Sequence, residues 1–289
     1  MDKILITGAT GTVGLDTVRL LVDHKEKDYQ VVAAVRDIDH AKTIVELKDA
    51  TLVGFDFDDP GTFAPALKGV TKLLLIRPNL ISDVSKHIIP FLNAVEKSSV
   101  KHLVFVSIVG AERNRVFANH RIETHLKKMN ILHTIVRPSL YMQNLITLHF
   151  QEIKNHDHIY IPAGSGMVNY VDATDVAKVV VEILTKPGHE GKEYEITGQE
   201  PMDFYKIASL FTKELGREIR YARPLTIKFI RQKMLEKKGM PFIVTLTLLY
   251  SAARSGKMAH VSQVFKELTG AEPRKLEDFI HHNRIIWEK

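Results

Sequence analysis

Residues 3–14 read KILITGATGTVG, a short apolar run with β-branched residues that ends in three spaced glycines, Gly8, Gly11 and Gly14. Lys3 to Thr7 reads as a buried strand. From Thr12 to His24 the apolar residues Val13, Val18, Leu20, Leu21 and Val22 recur near helical spacing. Glycines at this spacing mean little alone; between a strand and a helix, with a second strand following, they mark a phosphate-binding turn. Gly8 is expected to permit the tight turn, Gly11 to let backbone N–H groups approach a pyrophosphate, and Gly14 to let helix and strand pack closely. The helix amino terminus, at Thr12 and Val13, offers unpaired N–H groups and a dipole that favours an anion. The hydroxyls of Thr10 and Thr12 add further donors.

The pattern continues outward from that loop. Gln30 to Val35, Thr51 to Phe55, Lys72 to Ile76, His102 to Ser107 and His133 to Val136 read as further strands. Between them, His40 to Leu47, Thr62 to Lys68, Asp83 to Ser98 and Asn119 to Met129 read as helices. Strands apolar on both faces and separated by helices imply a parallel sheet covered on both sides, and right-handed crossovers give a doubly wound Rossmann-type α/β fold. The alternation weakens after Pro138. Gly164 to Asp172 reads as a loop with a short strand, Asp175 to Leu184 as a helix and Tyr194 to Ile196 as a strand. From Asp203 onward the chain is mostly helical. The expected organisation is a nucleotide-binding domain over residues 1–150 and a small, mostly helical carboxyl-terminal lobe over 151–289, with some of its segments returning to the core. Such a lobe would pack over the carboxyl edge of the sheet, where ligands sit in these folds.

The end of the second strand selects the cofactor. A site for NAD places Asp or Glu there to hold the ribose 2′-hydroxyl; this chain places Arg36, followed by Asp37. A guanidinium pairs bidentately with a 2′-phosphate, which points to NADP(H). Asp37 keeps a hydroxyl contact open as the alternative, and Lys42 is a weaker phosphate candidate. Asp56 and Phe57 follow the third strand, where an adenine would lie, although Asp56 also reads as a turn cap and Phe57 as core. Ile76 and Arg77 follow the fourth strand near the middle of the cofactor. Ser107 ends the fifth strand near the nicotinamide, or only caps it.

Composition bounds the rest. The chain has 289 residues, 45% hydrophobic and 26% charged, which suits a globular fold with a sizeable core. It has no cysteine, so disulfides, thiolate catalysis and Cys-ligated zinc are excluded. The formal charge of +6 fits an anionic ligand, and short basic clusters such as Lys233 to Lys238 read as a solvated helix face. The amino terminus has no leader pattern and no apolar run is long enough for a membrane helix, so a cytoplasmic protein without membrane or nucleic-acid partners is expected. His281-His282 and His156/His158 lack companion ligands at metal spacing and read as surface.

At these residues the chain resembles the NmrA-like group of atypical short-chain dehydrogenases/reductases. The matching stretches are ITGATGTVG at 6–14, AAVRD at 33–37, FDFDDP at 55–60, FVSIVGAE at 105–112, HRIETHLKKMNILHTIVRPSLYMQNL at 120–145 and YVDATDVAKVV at 170–180. The glycine loop is common to many folds; its combination with Arg137-Pro138 and the helix start at Asp175-Val176-Ala177 is more specific. The resemblance implies an NADP(H)-preferring domain with a small carboxyl-terminal lobe. Some members of the group are quinone or other carbonyl reductases, and others sense the nicotinamide pool and regulate partners without turnover.

The wider superfamily uses Tyr-x-x-x-Lys, in which the tyrosine donates a proton to a carbonyl. None of the eight tyrosines here has Lys four residues on, and the nearest register, Phe117 to Arg121, holds Phe and Arg. Substitutes are His120, whose imidazole can donate or relay a proton, Arg121, which would hold ribose or phosphate, and Tyr141, which follows the sixth strand. A quinone asks less of the protein, because solvent protonates the product and the site mainly holds two flat rings together. The expected function is therefore NADPH-dependent reduction of a quinone or similar flat electrophile, with Ser107, His120 and Tyr141 lining the reaction centre. The alternative is a non-catalytic NADP(H)-sensing protein that acts on a protein partner, most plausibly through the helical tail.

Overall fold

The computed structural model describes residues 1–24, 28–78, 81 and 83–289. The main sheet is built from β1 (Asp2–Ile6), β2 (Tyr29–Val35), β3 (Thr51–Gly54), β4 (Lys72–Ile76), β5 (His102–Val106) and β6 (Leu132–Pro138), with the Glu193–Ile196 strand at the edge beside β6. The strand order is β3-β2-β1-β4-β5-β6, and β1 pairs in parallel with both β2 and β4. This is the doubly wound order of the Rossmann fold. Connections run one way from β1 to β2 and the other way to β4, which opens a crevice at the carboxyl ends of β1 and β4. β1, β4 and β5 sit inside the sheet with both faces covered, which is why Ile4, Leu5, Ile6, Leu73, Leu74, Leu75 and the middle of β5 form unbroken apolar runs.

Contacts divide the chain into two units. The first comprises Met1–Pro138 and Ala173–Glu195, the second Ser139–Asp172 and Ile196–Lys289. In the first, helix α1 (Thr12–Val22) packs along the returning helix Ala173–Thr185, and Thr174 Oγ1 donates to Asp16 at 2.7 Å. The opposite face of its sheet carries an aromatic cluster of Phe55, Phe57, Phe63 and Phe91, with ring centroids 4.8 to 5.8 Å apart and mostly edge-to-face. The second unit has a three-stranded sheet (Pro201–Asp203, Met167–Val171, Leu140–Tyr141), a two-stranded one, and helices that include Phe204–Leu215, Thr226–Leu235, Met240–Arg254 and Leu276–Asn283. Its core gathers Phe204, Phe211, Phe229, Tyr250 and Trp287. Among the described residues no helix is long and apolar enough to cross a membrane.

Two local expectations differ from what is observed. The Asp83–Ser98 segment is two helices, Val84–His87 and Ile89–Glu96, because Pro90 has no N–H to continue the first ladder and suits the first turn of the second. Ser82, just before it, lies outside the described residues. His40–Leu47 is a short turn, Ile38–Ala41, followed by a 3-10 turn, Val45–Leu47. The short strand expected within Gly164–Asp172 is Met167–Val171, which pairs on both sides.

Each unit buries a neutral histidine. His102 on β5 donates from Nε2 to Thr134 Oγ1 at 2.8 Å, since that hydroxyl itself donates to the His189 carbonyl at 2.6 Å. Burial pushes the pKa of His102 down to about 4. In the second unit, burial and the nearby Lys233 push His149 down to about 3, with Nε2 at 2.7 Å from the Tyr250 hydroxyl. Both folded-state values lie below the unfolded value near 6.5, so the unfolded chain binds more protons as pH falls. The stability they contribute is complete above pH ~6.5 and is lost as pH falls through about 4 and then about 3. We expect chemical denaturation to show this loss from pH ~6.5 downward, and His102→Gln to flatten the curve between pH ~6.5 and ~4. A wild-type profile flat over that interval would contradict it.

Candidate functional site

The glycine loop lies at the carboxyl end of β1. Gly8 has φ +62°, a left-handed conformation open to glycine, and its N-terminal neighbour Thr7 fastens the crevice: Thr7 Oγ1 accepts from Ile76 N at 2.8 Å and lies 3.2 Å from the Leu74 and Ile76 carbonyls. Gly11 N donates to the Gly8 carbonyl at 2.9 Å, closing the turn. Gly14 lies on α1, and a Cβ there would fall 2.1 Å from the Gly8 oxygen. Helix and strand therefore meet at a distance that only glycine allows. The first turn of α1 has no side-chain cap; Gly11 is its N-cap residue, and Thr10, Gly11 and Thr12 are exposed while Val13 is buried. The backbone N–H groups there are thus presented to a ligand, which fits an anion.

Arg36, at the end of β2, is exposed and has no ion-pair partner among the described residues. Asp37 is accounted for locally: it is the N-cap of the Ile38–Ala41 helix and its Oδ1 accepts from His40 N at 2.9 Å. Lys42 pairs with Asp39 at 2.8 Å.

The next candidates are less open than the sequence suggests. Asp56 shapes its own turn, accepting from Asp58 N at 3.0 Å, and its backbone N–H donates to Thr62 Oγ1 at 3.1 Å. The Phe57 ring is turned into the aromatic cluster and is only 6% exposed, so its face is not available to stack on a base. Ile76 packs over Gly8, 3.2 Å from where a Cβ would stand. Arg77 is held by the carbonyls of Pro78 at 2.9 Å and Ile81 at 2.5 Å and by Asn119 Oδ1 at 3.2 Å. Burial lowers its pKa.

Ser107 is 2% exposed, and its hydroxyl donates to Glu123 Oε1 at 2.5 Å. Glu123, on the Ala118–Leu126 helix, is equally buried and takes a bidentate pair from Arg137 of β6, Nε at 3.0 Å and Nη2 at 2.7 Å. Arg137 Nη2 also reaches Glu193 at 2.7 Å, and Glu193 pairs with Lys127 at 2.6 Å. Burial works against the charge on Arg137, but the hydrogen bonds and attraction of Glu123 and Glu193 outweigh it and raise its pKa. The Ser107 hydroxyl therefore ties β5 to the helix. Sequence reasoning noted Arg137 only within a motif and missed Glu123. The available signal was a lone arginine ending the apolar run HTIV.

His120 opens the same helix, one turn before Glu123. Its Nδ1 donates to the Ala111 carbonyl at 2.8 Å, so in the neutral ring Nε2 carries the lone pair, and Nε2 has no partner among the described residues. Arg121 beside it is exposed. Phe117, in the register of the missing tyrosine, is buried. Tyr141 belongs to the second unit; it is half-buried, and burial raises the pKa of its phenol. Among the described residues no group of three or more His, Asp or Glu is placed to hold a metal ion.

The model of the NmrA-like family matches residues 1–280. NAD(P)H azoreductase of Xenophilus azovorans is 31% identical over 282 residues, 96% of each chain. Quinone oxidoreductase 2 of Escherichia coli (strain K12) is 26% identical over 284 residues, covering 96% of this chain and 98% of its own. Among solved structures, an NADPH-dependent quinone oxidoreductase of Escherichia coli superposes with TM-score 0.80 at 26% identity, over 96% of this chain and 98% of that one. Triphenylmethane reductase of Citrobacter sp., complexed with NADP(H), superposes with TM-score 0.81 at 24% identity, over 97% and 99%, and shares the fold.

Proposed function

We propose that this chain, which belongs to the NmrA-like family, is an NADPH-dependent reductase of a quinone or a similar flat electrophile. Relatives across nearly the whole chain are an NAD(P)H azoreductase and a quinone oxidoreductase, which supports an NAD(P)H-dependent oxidoreductase. The observation that carries the finer reading is the end of β2: an exposed, unpaired Arg36 beside an Asp37 whose carboxylate caps a helix. An unpaired guanidinium favours the 2′-phosphate, and a carboxylate already occupied competes less for a 2′-hydroxyl.

The residues present fit the cofactor, because the exposed, uncapped α1 amino terminus offers its backbone N–H groups to a pyrophosphate, and Gly14 keeps that terminus packed close against the end of β1. Backbone groups of Gly8, Gly11, Val13 and Gly14 and the hydroxyls of Thr10 and Thr12 would line it. Asp56, the Phe57 backbone, Ile76 and Arg77 would border its adenine and middle, and Arg121 would hold ribose or phosphate. Bound NADPH supplies the hydride. His120 is the chain's proton carrier in this proposal: Ala111 fixes its tautomer and leaves Nε2 to exchange a proton. Burial keeps the phenol of Tyr141 protonated. Glu123 and Arg137 position this helix without touching substrate.

A panel of quinones tests the proposal. NADPH oxidation accelerated by at least one of them, and much less with NADH, is expected; no turnover across the panel would sink the reductase reading. The buried Phe117 in place of a proton-donating tyrosine favours a second reading, an NADP(H)-responsive regulator without turnover. That reading requires a partner pull-down that NADPH or NADP+ alters.

A further inference from the structure

The second unit carries a surface that the proposed chemistry does not use. Residues 223–260 hold eight lysines and arginines against one acid, Glu236, a surplus large enough to account for the chain's whole formal charge of +6. Glu236 is itself paired with Lys233 at 2.9 Å, and Lys233 is buried against Glu152 at 2.6 Å. Arg223, Lys228, Arg231, Lys237 and Lys238 remain exposed, with no ion-pair partner among the described residues. The basic surface is therefore concentrated and unopposed, rather than spread over a solvated face.

The same stretch exposes large apolar side chains. Leu225 is 63% exposed, Ile227 69%, Met234 55%, Leu235 75% and Met240 53%. On the Thr226–Leu235 helix, Ile227, Arg231 and Met234 share the outer face, while Phe229 and Lys233 point inward. After the turn at residues 236–239, Met240 and Val244 continue the outer face of the Met240–Arg254 helix, whose Ile243 and Leu246 are buried. The result is a helical hairpin whose tip mixes exposed aliphatic and thioether side chains with lysines.

We propose that this hairpin docks on an anionic phospholipid surface, lying in the interface rather than spanning the bilayer. Aliphatic side chains enter the boundary between headgroups and acyl chains, and flanking lysines and arginines meet the phosphates. Long basic side chains suit this role because their stems lie along apolar material while their heads stay in water. A second copy of the chain fits poorly, since a symmetric contact would bring two unopposed basic patches together. Nucleic acid would use the charges and leave Leu225, Ile227, Leu235 and Met240 in water. The inference stands apart from the reductase reading, because docking is measured without turnover.

The test is sedimentation of the full chain with vesicles of phosphatidylcholine alone and with about one third phosphatidylglycerol added. Binding to the anionic vesicles about tenfold above the neutral ones, weakened by salt, is expected. Lys237→Glu with Lys238→Glu, and separately Leu235→Ser with Met240→Ser, should each reduce it about tenfold, with thermal stability and NADPH binding unchanged. Three results would overturn the proposal: no vesicle binding, equal binding to both vesicle types, or binding that survives either double substitution. In the first case, retention of duplex DNA, or dimerisation that Leu235→Ser with Met240→Ser abolishes, would assign the surface to that partner instead.

Discussion

Gly14→Ala is expected to abolish NADPH binding, by at least about a hundredfold, and to lower thermal stability. The added Cβ would stand 2.1 Å from the Gly8 oxygen, 2.8 Å from the Gly8 carbonyl carbon and 3.1 Å from Ala9 Cα. All three are backbone atoms at the end of β1, which is pinned on both sides by parallel pairing. No side chain is there to swing away, so α1 itself must move and take its N–H groups with it. Overpacking of this kind costs typically about 1–3 kcal/mol, and more where only backbone can yield. Gly11→Ala is the internal comparison. Its Cβ would meet the Gly8 oxygen at 3.2 Å, and Gly11 has φ −86°, which any residue adopts, so the loss should be much smaller. Calorimetric titration of both variants with NADPH, beside their melting curves, reads the difference. Near-wild-type binding and stability for Gly14→Ala would refute this account of the loop.

The second large effect is on stability. Glu123→Ala leaves Arg137, buried on β6, without its bidentate partner and leaves the Ser107 hydroxyl without its acceptor. Removing one member of a buried ion pair costs about 3–5 kcal/mol, because the remaining charge is desolvated and unopposed. Glu193 at 2.7 Å and Glu112 at 3.5 Å remain beside Arg137, but both are partly exposed and Glu193 is shared with Lys127, so they compensate only in part. Urea unfolding should show the loss, and pairing Glu123→Leu with Arg137→Met should recover much of it, since a well-packed apolar pair is often neutral against a buried ion pair. A Glu123→Ala protein within about 1 kcal/mol of wild type would show that the network is not structural.

The fold was legible because its decisive signals are local. KILIT, KLLLI and HLVFV are apolar on both faces, and only the interior of a parallel sheet demands that. Gly8 and Gly14 announced themselves by spacing, and the observed turn and close approach are the physical reasons for them. What sequence left unread depends on distant partners. Glu123 and Arg137 lie on a helix and a strand whose adjacency no periodicity reveals. Phe57 reads equally well as a stacking face or as core until Phe55 and Phe91 are seen against it. Asp37 reads in sequence as a rival to Arg36, whereas its carboxylate caps the next helix. The charge of the 223–260 hairpin was visible residue by residue, but its exposure beside bare aliphatic side chains was not.

In the proposed function, Arg36 makes this a site for NADPH. The most direct measurement is a calorimetric titration of the wild type and Arg36→Glu with NADPH and with NADH. Tight NADPH binding by the wild type, weaker NADH binding, and loss of the preference in Arg36→Glu by at least about tenfold are the predicted result. Equal affinity of the wild type for both cofactors, or an NADPH preference that survives Arg36→Glu, would contradict it.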